Sequence, residues 1–338
     1  MKLSEPIEFT IQMQSEAGKL QGPGSFDGER PQLGEQSFRV DEILTLEIQS
    51  GGLYVTWVDK DLEPYFADVQ VYGIAIEELK EMINAGQTHL QALAEKSRLI
   101  EAGQLDSYDD IACPFCKATI MLVDTQNSPQ VYCEHCETLF SRDREGLDGI
   151  ERHFRVCKGC GMYSRPRSFS VFYFYFLVFT YGFHHDSVIR CSACMRKAAW
   201  RMVAGNLFGL LALPFALYQL KRAYSTKSLT GAFEGLDDAN ALASRKKLEL
   251  ALDKYDQVMD RVPVNAGVKF NIARGLVLQQ DYEHARQMYE MSLEDCANYW
   301  PSIMGMVECL ELMGDERQLA ATREFWNLGD KFDEPLGE

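Results

Sequence analysis

The sequence lacks the motifs that would mark an enzyme. It has no phosphate-binding loop, no paired catalytic carboxylates in a recognisable motif and no nucleophile signature. Catalysis is left without residues, and a non-enzymatic protein is the expectation. An apolar leader is missing too. Met1-Lys2-Leu3-Ser4-Glu5 leads into no hydrophobic run, so no secretory signal is expected and a reducing, cytoplasmic setting follows. Basic charge is scarce. Lys and Arg number 34 against 50 Asp and Glu, for a net charge of −16. At long range such a chain repels a phosphate backbone.

That deficit is uneven. Residues 1–110 carry a net −13 and residues 231–338 a net −10, whereas residues 111–230 carry +7. A basic, aromatic centre between acidic ends fits the surface of a membrane. It also fits nucleic acid, through Arg142, Arg144, Arg152, Arg155, Arg165 and Arg167. Nucleic acid is the weaker expectation, because the acidic flanks oppose it.

Eight of the ten cysteines fall into four Cys-x-x-Cys pairs: Cys113/Cys116, Cys133/Cys136, Cys157/Cys160 and Cys191/Cys194. In a reducing compartment this spacing reads as metal rather than as crosslinks. Two such pairs hold one tetrahedral zinc, so the expectation is two structural Zn2+ ions, each with four thiolates. Closed sites of this kind leave no position for a catalytic water. His135, His184 and His185 lie nearby and are expected as exposed turn residues, since all-cysteine sites are already complete.

Sixteen residues separate Cys116 from Cys133, twenty separate Cys136 from Cys157, and thirty separate Cys160 from Cys191. Sequential pairing is favoured, because it makes the first site a local hairpin with little loop-closure cost. Pairing of the second with the third, or a crossed order, stays open. Residues 118–123 read as a strand, 124–129 as a turn and 130–132 as the return. This region resembles the zinc-ribbon family, with Cys113-Pro114-Phe115-Cys116 as the first knuckle.

The interval between the third and fourth pairs holds an uncharged run, residues 169–183, with nine Phe and Tyr. If one metal holds both ends, the run must start and finish in the same place. A spanning helix needs about twenty residues one way, so the run is a core hairpin, a re-entrant loop or an element of the membrane interface. Aromatic rings favour the interface. A second apolar run follows from Met202 to Leu220, with Arg and Lys at both ends. It meets the lower length limit for a spanning helix, and shallow insertion suits its flanks better than crossing. A buried helix is the alternative. The segment from Cys157 to Cys194 resembles the LITAF domain family, a zinc site split by an apolar membrane-inserting segment. In that family a His closely precedes the second knuckle, whereas His184 and His185 stand well upstream of Cys191. The resemblance implies a monotopic, cytosol-facing anchor.

The C-terminal third repeats. Ala251 and Ala285 are 34 residues apart, as are Tyr255 and Tyr289, and Asp281 recurs as Asp315. Pro263 closes the first unit. A 34-residue period with small then aromatic residues in the second helix resembles the tetratricopeptide repeat. The third unit is weaker, with Leu319 and Arg323 at these positions. The resemblance implies a protein partner, and the repeat is expected to fold alone. Cys296 and Cys309 are expected as core thiols.

The N-terminal region alternates apolar and polar residues at Ile7, Phe9, Ile11 and Met13, as a half-buried strand does. Residues 18–34, with an isolated Gly22-x-Gly24, read as a glycine-rich loop. Further strands are expected near 38–48, 53–58 and 66–74. An amphipathic helix follows from Ile76, with Gly86 as its weak point. The fold class expected is α+β and multidomain. It comprises a β-rich domain with a helix (1–105), a zinc ribbon (106–150), a second zinc site with apolar membrane-associated segments (151–224) and a tetratricopeptide-like helical repeat (236–330). The function expected is a zinc-binding adaptor, cytoplasmic and peripheral or monotopic on a membrane, with a protein partner on its repeat. The alternatives are a nucleic-acid-associated zinc-ribbon protein and a soluble subunit of a protein complex whose apolar runs form an interface.

Overall fold

Strand-forming alternation at the N-terminus and helical periodicity at the C-terminus give an α+β chain of two units, Met1–Thr125 and Gln126–Glu338. The computed structural model describes residues 5–15, 18–49, 51–58, 63–123, 125–143, 151–177, 180–207, 213–225, 229–326 and 328.

In the first unit, β1 (Ile7–Ser15), β2 (Gly18–Phe26), β3 (Pro31–Leu33), β4 (Gln36–Ser37), β5 (Ile43–Gln49), β6 (Gly52–Val58) and β7 (Pro64–Tyr72) form one antiparallel sheet, ordered β4-β3-β2-β1-β7-β6-β5. Phe9, Ile11, Leu53, Val55, Trp57 and Val69 point to one face, where Leu79 and Ile83 of α1 (Ile76–Ala102) close the core. Two expectations are corrected here. The glycine-rich stretch 18–34 forms β2 and β3 rather than a loop. Gly24 pairs with Phe9 across the sheet, and a Cβ there would sit 2.2 Å from the Phe9 ring, so glycine makes room for the aromatic partner. Gly86 is no weak point either. It lies buried in α1, where a Cβ would meet the Gly28 carbonyl oxygen at 2.5 Å. The unit ends with β8 (Asp110–Ala112) paired to β9 (Thr119–Met121). Thr88 of α1 accepts the Thr119 N–H at 2.9 Å and fixes that pair to the helix.

In the second unit, β10 (Gln130–Cys133) pairs with β11 (Thr138–Ser141), β12 (Arg155–Val156) with β13 (Tyr163–Ser164), and β14 (Arg167–Leu177) with β15 (Thr180–Arg190). Then come α2 (Ser192–Gly205) and α3 (Leu213–Tyr224). The helical array consists of α4 (Leu236–Ala243), α5 (Leu248–Met259), α6 (Ala266–Val277), α7 (Tyr282–Asp295), α8 (Trp300–Met313) and α9 (Glu316–Phe325). The 34-residue period is structural. Helices α5, α7 and α9 begin at 248, 282 and 316, and α6 and α8 begin at 266 and 300. Ala251, Tyr255, Ala285 and Tyr289 are fully buried, whereas α9 buries no residue and ends the array with a polar face. Cys296 and Cys309 are buried, as expected. Burial raises both thiols above the ordinary range, that of Cys309 to about 11.

The apolar run 169–183 lies in the β14–β15 hairpin, with residues 178–179 outside the described residues. His184 and His185 therefore belong to a strand, paired with Tyr173 and Phe172, and are not turn residues. The run from Met202 to Leu220 is not one described helix. α2 stops at Gly205, residues 208–212 lie outside the description, and Pro214 sits in the first turn of α3, where its missing N–H costs nothing. Among the described residues no helix is long and apolar enough to cross a membrane. Asp124, Arg144, Gly209 and Asn327 also fall outside the described residues.

Candidate metal centres

Three of the four Cys-x-x-Cys pairs sit in the turn of a short hairpin with a shared backbone pattern. The first cysteine bonds across the turn. Cys113 N–H donates to the Ala118 carbonyl at 2.9 Å, Cys157 N–H donates to Met162 at 2.9 Å, and Cys133 pairs with Thr138. The residue after the second cysteine turns left-handed: Lys117 at φ 64°, Glu137 at φ 57° and Gly161 at φ 69°. That conformation costs a non-glycine residue about 1–2 kcal/mol. Its recurrence shows that the turn imposes it. One expectation is corrected. The strand at 119–121 does not return to 130–133 but pairs back with 110–112, and 130–133 pairs forward with 138–141. Each knuckle closes its own hairpin, because the reversal at Cys-x-x-Cys is tighter than the connection between the pairs. The fourth pair differs: Cys191 is the N-cap residue of α2, and Cys194 lies in its first turn.

The sulfur atoms of Cys113, Cys116, Cys133 and Cys136 all lie within 4.8 Å of one another, and so do those of Cys157, Cys160, Cys191 and Cys194. The pairs thus combine sequentially, and each group can hold a metal ion. Four sulfurs about 2.3 Å from a tetrahedral ion stand about 3.8 Å apart. Cys160 Sγ and Cys191 Sγ are 3.6 Å apart, far from the ~2.05 Å of a disulfide. None of the eight is in a disulfide. His135 is exposed, 3.8 Å from Glu134, and joins neither group.

Within the second group the contacts favour thiolate at Cys157, while its neighbours Cys160 and Cys191 are held as thiols by the hydrogen bonds they donate to its charge. The Cys191 N–H donates to Cys157 Sγ at 3.2 Å and the Gly159 N–H at 3.4 Å. Hydrogen bonds from Cys160, Cys191 and Cys194, then that of the Cys191 backbone, push the Cys157 thiol far below its ordinary value. Gly159 packs closely on the fourth pair. A Cβ there would lie 3.1 Å from Cys194 Sγ. Next to the second group, burial and then the fields of Arg165, Arg152, Arg155 and Arg167 lower the pKa of His153, so the arginines of this region converge.

The helical array holds both knuckles of its unit through asparagine. Asn271 Oδ1 accepts the Tyr163 N–H at 2.6 Å, and its Nδ2 donates to the Tyr163 carbonyl at 2.7 Å. Asn240 Nδ2 donates to the same carbonyl at 2.9 Å, while Asn240 Oδ1 accepts from Tyr255 Oη at 2.7 Å and from Asn271 at 2.9 Å. Asn298 brackets Tyr132 in the same way, at 2.9 and 2.8 Å. Both tyrosines adjoin Cys-x-x-Cys turns. An asparagine amide here stands in for a neighbouring strand, offering one donor and one acceptor to an extended backbone. These asparagines carry no spacing signal, and sequence reading misses them.

The base of the long hairpin is packed as well. Phe169 and Val171 of β14 are buried against Met195, Ala198, Ala199 and Met202 of α2 and Ala216 and Ala223 of α3. Asn206, buried, donates to the Phe172 carbonyl at 3.0 Å. Comparison with known proteins finds no matching family model, curated protein or solved structure. The ribbon, LITAF and tetratricopeptide resemblances thus gain no support from a family match.

Proposed function

We propose that zinc fills both four-thiolate groups as a structural ion, and that the protein is a non-enzymatic scaffold resting on a membrane surface through its aromatic hairpin. Zinc fits the donor set: four soft thiolates at tetrahedral spacing leave no open position. The ion would supply cross-linking, and these residues hold it: Cys113, Cys116, Cys133, Cys136, Cys157, Cys160, Cys191 and Cys194.

The observation that carries the membrane reading is the position of the second group. It takes Cys157 and Cys160 from the turn before β14, and Cys191 and Cys194 from the residues just after β15. Both legs of an eleven-pair hairpin are thereby pinned at one end. A lone two-stranded hairpin is marginal in water. The distal part of this one reads Phe172-Tyr173-Phe174-Tyr175-Phe176-Leu177-Val178-Phe179-Thr180-Tyr181-Gly182-Phe183, without a charge. An apolar ribbon of that kind needs a second surface, and lipid headgroups and acyl chains supply one. The array would then carry a protein partner on exposed apolar side chains such as Trp300, Leu312 and Phe325.

Flotation of the intact zinc-loaded chain with lipid vesicles tests this. The chain should float, and replacement of Tyr175, Phe176, Tyr181 and Phe183 by Ser should leave it at the bottom with both metals retained. A wild-type chain that stays soluble and monomeric beside vesicles would rule the reading out.

A further inference from the structure

The base of the hairpin holds a recess of about 280 Å³ lined by Arg167, Ser168 and Phe169 of β14, Met195 of α2, and Arg222, Ala223 and Ser225 at the end of α3. Two guanidinium groups and two hydroxyl-bearing residues share it with an apolar floor. No carboxylate lines it among the described residues, and neither arginine has an ion pair among them. Asp237 of α4, which feels Arg167 and Arg196, is largely buried and hydrogen-bonded to Ser192. Arg196 stacks on the Tyr224 ring at 5.1 Å and adds charge at the same end of α3.

α3 runs along the hairpin with a fixed polarity. Its C-terminal end meets Arg167 at the hairpin base, while Phe215 near its N-terminus packs on the Phe172 ring at 5.5 Å, toward the tip. Phe215, Leu217 and Tyr218 are exposed. Phe215 and Arg222 are seven residues apart on α3, about 10 Å along a helix axis. That offset is comparable to the depth, about 5–10 Å, to which an interfacial helix buries its apolar face at the headgroup/acyl boundary. Apolar side chains therefore sit about that far beyond a pair of arginines that face a pocket.

We infer that the Arg167–Arg222 recess binds the phosphate of an anionic lipid headgroup and sets the depth at which the hairpin enters the bilayer. Arginine suits this role, because its planar fork pairs with two phosphate oxygens at once. Phe169, Met195 and Ala223 give the recess a floor that water solvates poorly and a glycerol backbone can cover. The inference rests on the membrane reading above, and adds to it a headgroup site and an orientation.

The test compares vesicles of phosphatidylcholine alone with vesicles containing a quarter phosphatidic acid, using the intact zinc-loaded chain. Anionic vesicles should bind at least tenfold more tightly. Arg222→Gln, at an exposed helix end, should weaken that binding about five-fold, and Arg167→Gln with Arg222→Gln more than twenty-fold. Arg222→Glu is a second variant, whose exposed position spares the fold, and it should abolish the preference for anionic lipid. Unchanged zinc content and circular dichroism certify each variant. Inorganic phosphate and glycerol phosphate, titrated by calorimetry, separate the sources. Competition only at tens of millimolar supports a lipid headgroup, whereas micromolar binding by free phosphate would replace lipid as the ligand. Equal binding to both vesicles, unmoved by the variants, overturns the recess while leaving membrane association standing. Binding to no vesicle removes both. Arginine-dependent retention on duplex DNA without vesicle binding would hand the recess to a polynucleotide.

Discussion

Asn271 shows how much one side chain can carry. It satisfies both backbone polar groups of Tyr163 inside a fully buried core, and Gly267 clears the space for the ring: a Cβ there would lie 2.4 Å from it. Replacing Asn271 by Ala leaves a buried N–H without its acceptor, and the carbonyl with Asn240 alone. An unsatisfied buried group costs about 1–3 kcal/mol, so Asn271→Ala should lower the unfolding free energy in urea by about 2–4 kcal/mol. Asn298→Ala should cost less, because Asn298 is only half-buried. Equal, near-zero effects at both positions would show that the brackets add nothing to stability. None of this is legible in the sequence. An asparagine inside a helix has no period to betray it, and its partner lies 108 residues away.

At the scale of elements, legibility follows the range of the interaction. Cys-x-x-Cys turns are local, so their eight residues can be read from spacing, whereas their grouping spans longer intervals and spacing only favours the sequential order that the structure shows. The helical array is legible because its period is local too, down to Asp281 and Asp315 standing just before α7 and α9. The glycine-rich stretch 18–34 misleads, because what makes Gly24 a strand residue is Phe9 across the sheet. Hairpin partners mislead for the same reason: strand 119–121 is read correctly, but its neighbour is chosen by the knuckle turn. Two closed groups of four thiols predict two metal ions per chain by elemental analysis of the purified protein. Cys157→Ser should reduce this to one and loosen the base of the hairpin. It also deprives the Cys191 and Gly159 N–H groups of their sulfur acceptor. A variant that still holds two ions would mean that the second group is not their site.

For the whole second unit, the array and the knuckles share one core. Tyr132, Leu139, Phe154, Met162 and Tyr163 pack in the same cluster as Phe233, Leu236, Ala251, Tyr255, Ala285 and Tyr289. Phe154 lies 4.3 Å from Phe233, ring centre to ring centre, and Tyr132 meets the Tyr299 ring edge-on at 5.3 Å. Gln130 accepts the Ala266 N–H at 2.9 Å and Ser128 the Ala297 N–H at 3.0 Å, so knuckle-side residues satisfy amides at the start of α6 and just after α7. The expectation that the repeat folds alone thus meets a physical obstacle. Cutting before residue 229 would uncover Phe233 and Tyr299, which pack on Phe154 and Tyr132, and strip Asn240 and Asn271 of the backbone they hold. A fragment spanning 229–326 should therefore melt broadly, with reduced helicity. A fragment spanning 151–328 restores Phe154, Tyr163 and the complete second group of four cysteines. It should melt cooperatively with zinc present and lose that cooperativity to a chelator, because metal binding then feeds directly into folding. If 229–326 instead melts as sharply as the longer fragment, with or without zinc, the array owes nothing to the knuckles and the shared core is only a docking contact.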